Sequence, residues 1–320
     1  MIRTTLIATL SLAATSAAGD ISLGLPLACD MDSVCFIQQT VDRDTGPGAQ
    51  DFTCGPLSYD EHSGTDFALP SLAMQAAGVD VLAAAPGTIQ GVRNDMPDVL
   101  QTDPAAPDVT DRECGNGLVI RHADGWETQY CHMAQGSLTM KPGDNVATGD
   151  VLGRVGLSGE TEFPHLHLSV RRDGAVVDPF APSTATSCGP AGDSLWSDAL
   201  TLAPGGLIAA GFRADVPAFD AIKAGTAAMG TLPVSGGALV VWGYAFGGQA
   251  GDLMVLQIAG PEGTVFDDTQ TLDRTQAQLF RAGGRRTPPE GWPPGDYTGT
   301  ITLQRDGMVI DTATTTVTLR

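Results

Sequence analysis

The chain has 320 residues, 42% of them hydrophobic, with 40 glycines and 21 prolines. That is enough apolar surface for two ordinary cores, and the density of turn formers favours β architecture over a helical bundle. Acidic side chains outnumber basic ones 37 to 17, a formal net charge of −20, which argues against nucleic acid or an anionic membrane surface as a partner because both would be repelled.

Residues 1–18 read as a secretory signal peptide. Arg3 supplies the positive start, Leu6 to Ala14 a short apolar stretch, and Ser16-Ala17-Ala18 a small-residue cleavage site. Gly19 and Asp20 stand where a lipidated signal needs a cysteine. The mature chain is therefore expected to be secreted, periplasmic or extracellular, without stable membrane insertion, and no later apolar run approaches the length of a membrane-spanning helix. Six cysteines in an exported chain imply three disulfides. Fifteen connectivities are possible and sequence does not choose among them; the expected pairing is Cys29 with Cys35, Cys114 with Cys131, and Cys54 with Cys188. The absence of any Cys-x-x-Cys pair argues against a structural zinc–thiolate site.

Residues 19–54 form a cysteine-containing N-terminal extension with turn signals at 44–48. From 55 to 182 short β-prone runs are broken by Gly, Asp, Asn and Pro. The runs 117–122 and 126–132 flank the turn Ala123-Asp124-Gly125 and predict a hairpin, and 165–171 turns at Arg172-Asp173-Gly174 into 175–178. Residues 94–113, rich in Asp and Pro, predict a surface loop between two strands, either a rim of a substrate cleft or an insertion without a role. Residues 183–199 read as a linker. Beyond it, strand-length runs over 200–320, with a hairpin at Arg305-Asp306-Gly307, predict a cysteine-free immunoglobulin-like or fibronectin-like β-sandwich. It is expected to dock a partner or cover its neighbour, and nothing in it suggests catalysis. The acidity is uneven: residues 201–320 hold 11 acidic and 8 basic side chains, leaving 26 and 9 in the first 200.

The five histidines carry the chemistry. On a strand His165 and His167 face the same side with Leu166 turned to the core. His62 and Asp66 are four apart around Gly64, a spacing that lets a turn or irregular strand bring both to one metal. His132 ends the second strand of the hairpin. Hydrolytic zinc takes three nitrogen or oxygen ligands and keeps a position for water, a need that two imidazoles and one carboxylate meet. Each fragment alone occurs by chance in structural roles. His122, beside the hairpin turn, is read as structural.

In order, His62-x-Gly64-x-Asp66, Tyr130-x-His132 and Pro164-His165-Leu166-His167 resemble the zinc metallopeptidases of the lysostaphin and LytM type, peptidase family M23, over about residues 55–182. Ala85-Pro86-Gly87-Thr88, Lys141-Pro142-Gly143-Asp144 and Val177-Asp178-Pro179 agree with it. The resemblance implies a mainly β fold: an antiparallel LytM-type peptidase domain with the duplicated hybrid motif. It also implies one Zn2+ per chain on His62, Asp66 and His167, with His132 and His165 as catalytic histidines. The implied activity is exported zinc metalloendopeptidase action on peptidoglycan stem peptides or cross-bridges, through a zinc-activated water. One histidine takes the water proton and the other stabilises the oxyanion, in either assignment. With that activity, the domain over 200–320 is expected to bind wall polymer, dock a protein partner or simply cover the peptidase domain. Two other readings stand beside it. A non-enzymatic LytM-type regulator of cell-wall amidases is marked by lost ligands, whereas all five positions are filled here; a secreted protease acting on proteins is the second. Glu162-Phe163 before Pro164, Ser169 where glutamate is frequent, and the added loop 94–113 depart from the family pattern and bear on substrate preference.

Overall fold

A computed structural model describes residues 20–31, 33–183, 188–189 and 194–320. The signal expected over 1–18 lies outside the described residues, as do residues 184–187 and 190–193 of the expected linker. Among the described residues no helix is long and apolar enough to cross a membrane.

The first unit is built from β1 (Phe36–Gln39), β2 (Thr65–Ala68), β3 (Asp80–Leu82), β4 (Gly87–Arg93), β5 (Asn116–Arg121), β6 (Trp126–Met133), β7 (Asn145–Val146), β8 (Val151–Arg154), β9 (His165–Arg172) and β10 (Ala175–Val176), with one short helix, α1 (Leu72–Ala77). The main sheet runs β1-β2-β9-β6-β5-β4-β7, with β10 on β9, and β3 pairs β8 separately. All its described pairings are antiparallel. The predicted hairpins form where Asp-Gly supplies two residues at positive φ, Asp124 (54°) with Gly125 (77°) and Asp173 (51°) with Gly174 (83°), the backbone that a tight hairpin's twist demands. Phe67, Ile120, Tyr130, Leu166 and Leu168 are fully buried beneath the sheet. The loop 94–113 is less peripheral than its composition suggests. Met96 and Val109 are buried, and Asn116 holds the Met96 backbone at both its amide and its carbonyl.

Two expected boundaries are crossed by the packing. Residues 19–54 do not stand apart, because β1 is an edge strand of the main sheet and Leu23 and Leu27 belong to its core. The described end of the expected linker is also core: Leu195 and Trp196 are buried, and Leu23 exchanges backbone hydrogen bonds with Leu195 and Ser197. Large apolar side chains in a turn-rich stretch found an apolar surface to cover. All three disulfides join the pairs expected, Cys29–Cys35, Cys54–Cys188 and Cys114–Cys131. The second spans 134 residues and ties the entrance of the unit to its exit.

The second unit comprises β11 (Gly206–Arg213), α2 (Phe219–Ala224), β12 (Thr231–Leu232), β13 (Ala238–Gly248), β14 (Leu253–Gly260), β15 (Gly263–Thr271), β16 (Gln276–Arg286), β17 (Gly295–Arg305) and β18 (Met308–Leu319). A three-stranded sheet, β11-β13-β16, and a five-stranded sheet, β12-β18-β17-β14-β15, share a core that includes Phe212, Val241, Leu256, Ile301 and Val317. The units are docked. Gln278 Nε2 donates to Gln38 Oε1 at 2.7 Å, and Phe36 stacks on Phe246 with centroids 4.4 Å apart.

One buried ion pair joins the N-terminal segment to the far end of the first unit, Arg43 Nη1 to Asp178 Oδ2 at 3.4 Å. Burial pushes the Asp178 carboxyl up to about 6, against the hydrogen bond from the Phe180 amide and the Arg43 charge. A folded-state value above the unfolded one means that the fold binds this proton more tightly. The contribution is then fully present below about pH 4 and is lost as pH rises through about 6, on the order of 3 kcal/mol. Asp178→Asn is expected to flatten that part of the stability–pH curve, measured by urea unfolding from pH 4 to 7. An unchanged slope would remove Asp178 as its source.

Candidate active site

β9 lies between β2 and β6, so its histidines are flanked on both sides. Asp66 of β2 and Cys131 of β6 both pair with His167, and Ala68 pairs with His165. Alternation then does what the sequence predicts: Leu166 is fully buried, while His165 and His167 open on the same cleft. His62 precedes β2 and folds back over Asp66. The approach needs Gly64, where a Cβ would lie 2.5 Å from His167 Nε2 and 2.7 Å from the Leu168 carbonyl oxygen. The backbone oxygen cannot yield. Gly64→Ala is expected to displace the His167 ring and weaken metal binding by about 10–100-fold, as a competitive chelator titration would read; wild-type affinity in that variant would show the ring tolerates the shift.

His62, Asp66 and His167 converge. His62 Nε2 is 3.2 Å from Asp66 Oδ1 and 3.1 Å from His167 Nδ1, and His167 Nδ1 is 2.9 Å from Asp66 Oδ1. The protons do not satisfy this triangle. His62 Nδ1 meets the Thr40 carbonyl oxygen at 2.6 Å; that oxygen only accepts, so the proton of a neutral imidazole sits on Nδ1 and a lone pair on Nε2 faces inward. A carboxylate oxygen also only accepts. With both rings neutral, the three close contacts share at most one proton, from His167, and added positive charge resolves the conflict. Electrostatics agree. Burial opposes charge on His62, but Asp66 and the Thr40 bond outweigh it and raise the imidazole above its ordinary value. Burial would likewise raise Asp66, yet His62, His165 and His167 hold its carboxyl well below the usual carboxylate range. The donor set, two nitrogens and one carboxylate oxygen, fits a divalent transition metal of the zinc type.

His132 and His165 sit beside this triangle, with ring centroids 4.7 Å apart. His165 Nε2 is 3.5 Å from Asp66 Oδ1. Both rings are fixed through Nδ1, His132 on the Ser158 carbonyl oxygen at 2.9 Å and His165 on the Phe163 carbonyl oxygen at 2.9 Å. Each neutral ring thus turns an Nε2 lone pair to the cleft. Burial, reinforced by His165 and His167, pushes His132 well below the ordinary imidazole value; burial also lowers His165, against the pull of Asp66. Both are proton acceptors at rest. His132 has φ of 60°, a left-handed conformation uncommon for a side chain of this size. It is held by His132 N to Cys114 O (2.8 Å) and Gly156 N to His132 O (2.9 Å), with the Cys114–Cys131 disulfide adjoining both.

Several supporting residues carry no sequence signal of their own. Thr40 contributes only its carbonyl, and Ser158 likewise. The Tyr59 ring packs tilted against His62, centroids 4.4 Å apart, and Thr161 Oγ1 lies 3.1 Å from His165 Nδ1. Two departures from the family pattern acquire roles: Phe163 stacks on His165 at 4.2 Å, and Ser169 Oγ braces His167 Nε2 at 3.0 Å. His122, as expected, is outside the site, bonded to the Pro86 carbonyl and Thr128 Oγ1.

The cleft has a volume of about 1060 Å³ and is lined by both units. Gln101, Thr102 and Glu113 bring the loop 94–113 to its rim, and Gln38 and Gln39 bring β1.

Residues 60–179 match the family model of peptidase family M23. A DD-carboxypeptidase/endopeptidase, Mpg, from Neisseria meningitidis serogroup B is 40% identical over 72 residues, 22% of this chain and 16% of that protein. The peptidoglycan DD-endopeptidase ShyA of Vibrio cholerae is 31% identical over 117 residues, 37% of this chain and 22% of that protein. The chain therefore spans less than a quarter of either relative's length. Among solved structures, the catalytic domain of the prophage-encoded M23 protein EnpA from Enterococcus faecalis is 26% identical, covering 45% of this chain and 88% of that one at a TM-score of 0.31.

Proposed function

Taking residues 60–179 as a segment of peptidase family M23, we propose that this protein is an exported zinc metalloendopeptidase that hydrolyses peptide bonds of peptidoglycan, in stem peptides or cross-bridges. The observation that carries the reading is the proton-poor triangle of His62, Asp66 and His167 with two acceptor imidazoles beside it in one cleft. The similarity to enzymes named for DD-endopeptidase action supports the substrate class.

His62, Asp66 and His167 would hold one zinc ion, which when bound supplies Lewis acidity and makes water a nucleophile at neutral pH. The remaining work belongs to the chain. The Thr40 carbonyl and Ser169 hydroxyl fix the two ligand rings, the outer support on which metal affinity depends. His132 and His165 each offer Nε2 as a base, and one of them takes the proton as water adds to the scissile carbonyl. The imidazolium so formed becomes a donor. It can steady the developing oxyanion or return its proton to the departing amine, so a single transferred proton serves attack and then release.

The C-terminal unit reads as an immunoglobulin-like sandwich. Its three-on-five strand order, with the parallel β12–β18 pair at an edge, supports this. So does Tyr297 near the start of β17, whose hydroxyl donates to the Pro293 carbonyl at 2.9 Å in the manner of a tyrosine corner.

Purified sacculi incubated with the wild-type chain should yield new muropeptide fragments by mass spectrometry, and His165→Ala should yield none. Identical products from both, or none from either, would remove hydrolysis by this site; cleavage of casein but not of sacculi would favour a general protease.

A further inference from the structure

We propose that the C-terminal unit forms the carboxylate-recognising wall of the peptide cleft, with Arg274 and Lys223 pairing with acidic groups of the bound peptide. This rests on the peptidoglycan reading above and adds a substrate-binding role to a unit whose sequence suggests no chemistry.

The geometry places both cations on the cleft that contains His62, His132, His165 and His167. They are not brought there by a loose tether. Gln278, two residues into β16 and four beyond Arg274, is hydrogen-bonded to Gln38 of β1, and Gln38 belongs to the strand that pairs with β2. On the opposite side, Ser71 at the start of α1 approaches the end of α2, where a Cβ on Gly225 would come within 2.8 Å of Ser71 Oγ. Lys223 lies on α2. The wall is therefore registered against the metal triangle at both ends.

The charges are unequal between the walls. Besides Asp66 the first unit lines the cleft with Glu61, Glu113, Glu160 and Glu162 and one cation, Arg171, which donates to Gln129 Oε1 at 2.8 Å; the second contributes Lys223 and Arg274 but no carboxylate. In a chain with 37 acids and 17 bases, that difference matters. Among the described residues Arg274 is exposed and has no carboxylate partner. Lys223 has one, Asp220 at 3.1 Å, but the Asp220 side chain is 93% exposed, a helix-surface pair that contributes little and is readily exchanged. Opposite signs across a cleft orient a substrate that carries both an amine and carboxylates, and peptidoglycan cross-links carry both. A guanidinium or ammonium that meets a carboxylate in a half-enclosed cleft contributes roughly tenfold in affinity.

The test measures binding apart from cleavage. The zinc-loaded full-length chain carrying His165→Ala is titrated calorimetrically with two probes: a cross-linked stem peptide with free carboxylates, and the same peptide with its carboxylates amidated. The free acid is expected to bind at least tenfold tighter. Adding Arg274→Gln or Lys223→Gln should reduce that preference about tenfold or to parity, Arg274→Lys should keep most of it, and raised salt should weaken it. No preference in the parent, or a preference untouched by either glutamine, overturns the proposal. Turnover of the same probes by the wild type is read separately. A binding preference without cleavage would defeat the hydrolase reading and leave this wall standing; cleavage without a preference would do the reverse.

Discussion

Asp66→Ala is expected to lose bound metal and hydrolytic activity together. The Asp66 carboxylate is the only anionic group in the triangle, contacting His62 and His167 at 3.2 and 2.9 Å, and it is almost fully buried. Its removal takes away one ligand and the field that draws a cation in. Metal content measured by elemental analysis after gel filtration should fall from about one per chain to near zero. Turnover should fall by roughly 10³-fold or more, matching a loss of about 4 kcal/mol of Lewis-acid stabilisation. Chelation supplies a second readout. In the wild type, removing the ion leaves lone pairs facing one another, so the melting temperature should drop on chelation, as linkage requires of a ligand that binds only the folded state. Asp66→Ala, with nothing to lose, should melt at the same temperature with or without chelator. Wild-type metal content in the variant would place the ion elsewhere.

His132→Ala is expected to separate chemistry from metal binding. His132 is absent from the triangle, and its ring is anchored through Nδ1 to Ser158, leaving Nε2 for the substrate. Loss of one acid–base or oxyanion group costs about 10²–10³-fold in kcat, so kcat should fall by that much with metal content unchanged and KM altered little. The backbone there is already at φ 60°, and alanine meets the same strain as histidine, so folding should survive; circular dichroism melts would verify it. A kcat within threefold of wild type would deny His132 a catalytic part. Loss of metal would reassign it as a ligand.

The parts of this protein that are legible in its sequence share a physical cause: they depend on neighbours along the chain. Asp-Gly at 124–125 and 173–174 sets positive φ at both positions and closes hairpins with the backbone twist they need. The two-residue period of a strand turns His165 and His167 the same way whatever the strand packs on. Gly64 between His62 and Asp66 is written in the motif. The composition of 94–113 marks a loop but not its buried Met96 and Val109, because isolated apolar side chains do not stand out in a polar stretch. The expected boundaries near 54 and over 183–199 were blurred by tertiary packing: Leu23, Leu195 and Trp196 find their core only once the sheet exists.

The amino-acid sequence by itself determined the chemical inventory: which side chains can bind a metal, which can move a proton, and the local turns that present them. Tertiary structure alone decided the rest. The Thr40 and Ser158 carbonyls that set the protons of His62 and His132 are backbone atoms without identity in a sequence, and their direction depends on where segments more than 20 positions away lie. The same holds for the second wall of the cleft, which places residues more than 200 positions from His62 beside it. Hydrogen-bond direction and interdomain registry are properties of assembled surfaces, and a one-dimensional pattern does not encode them locally.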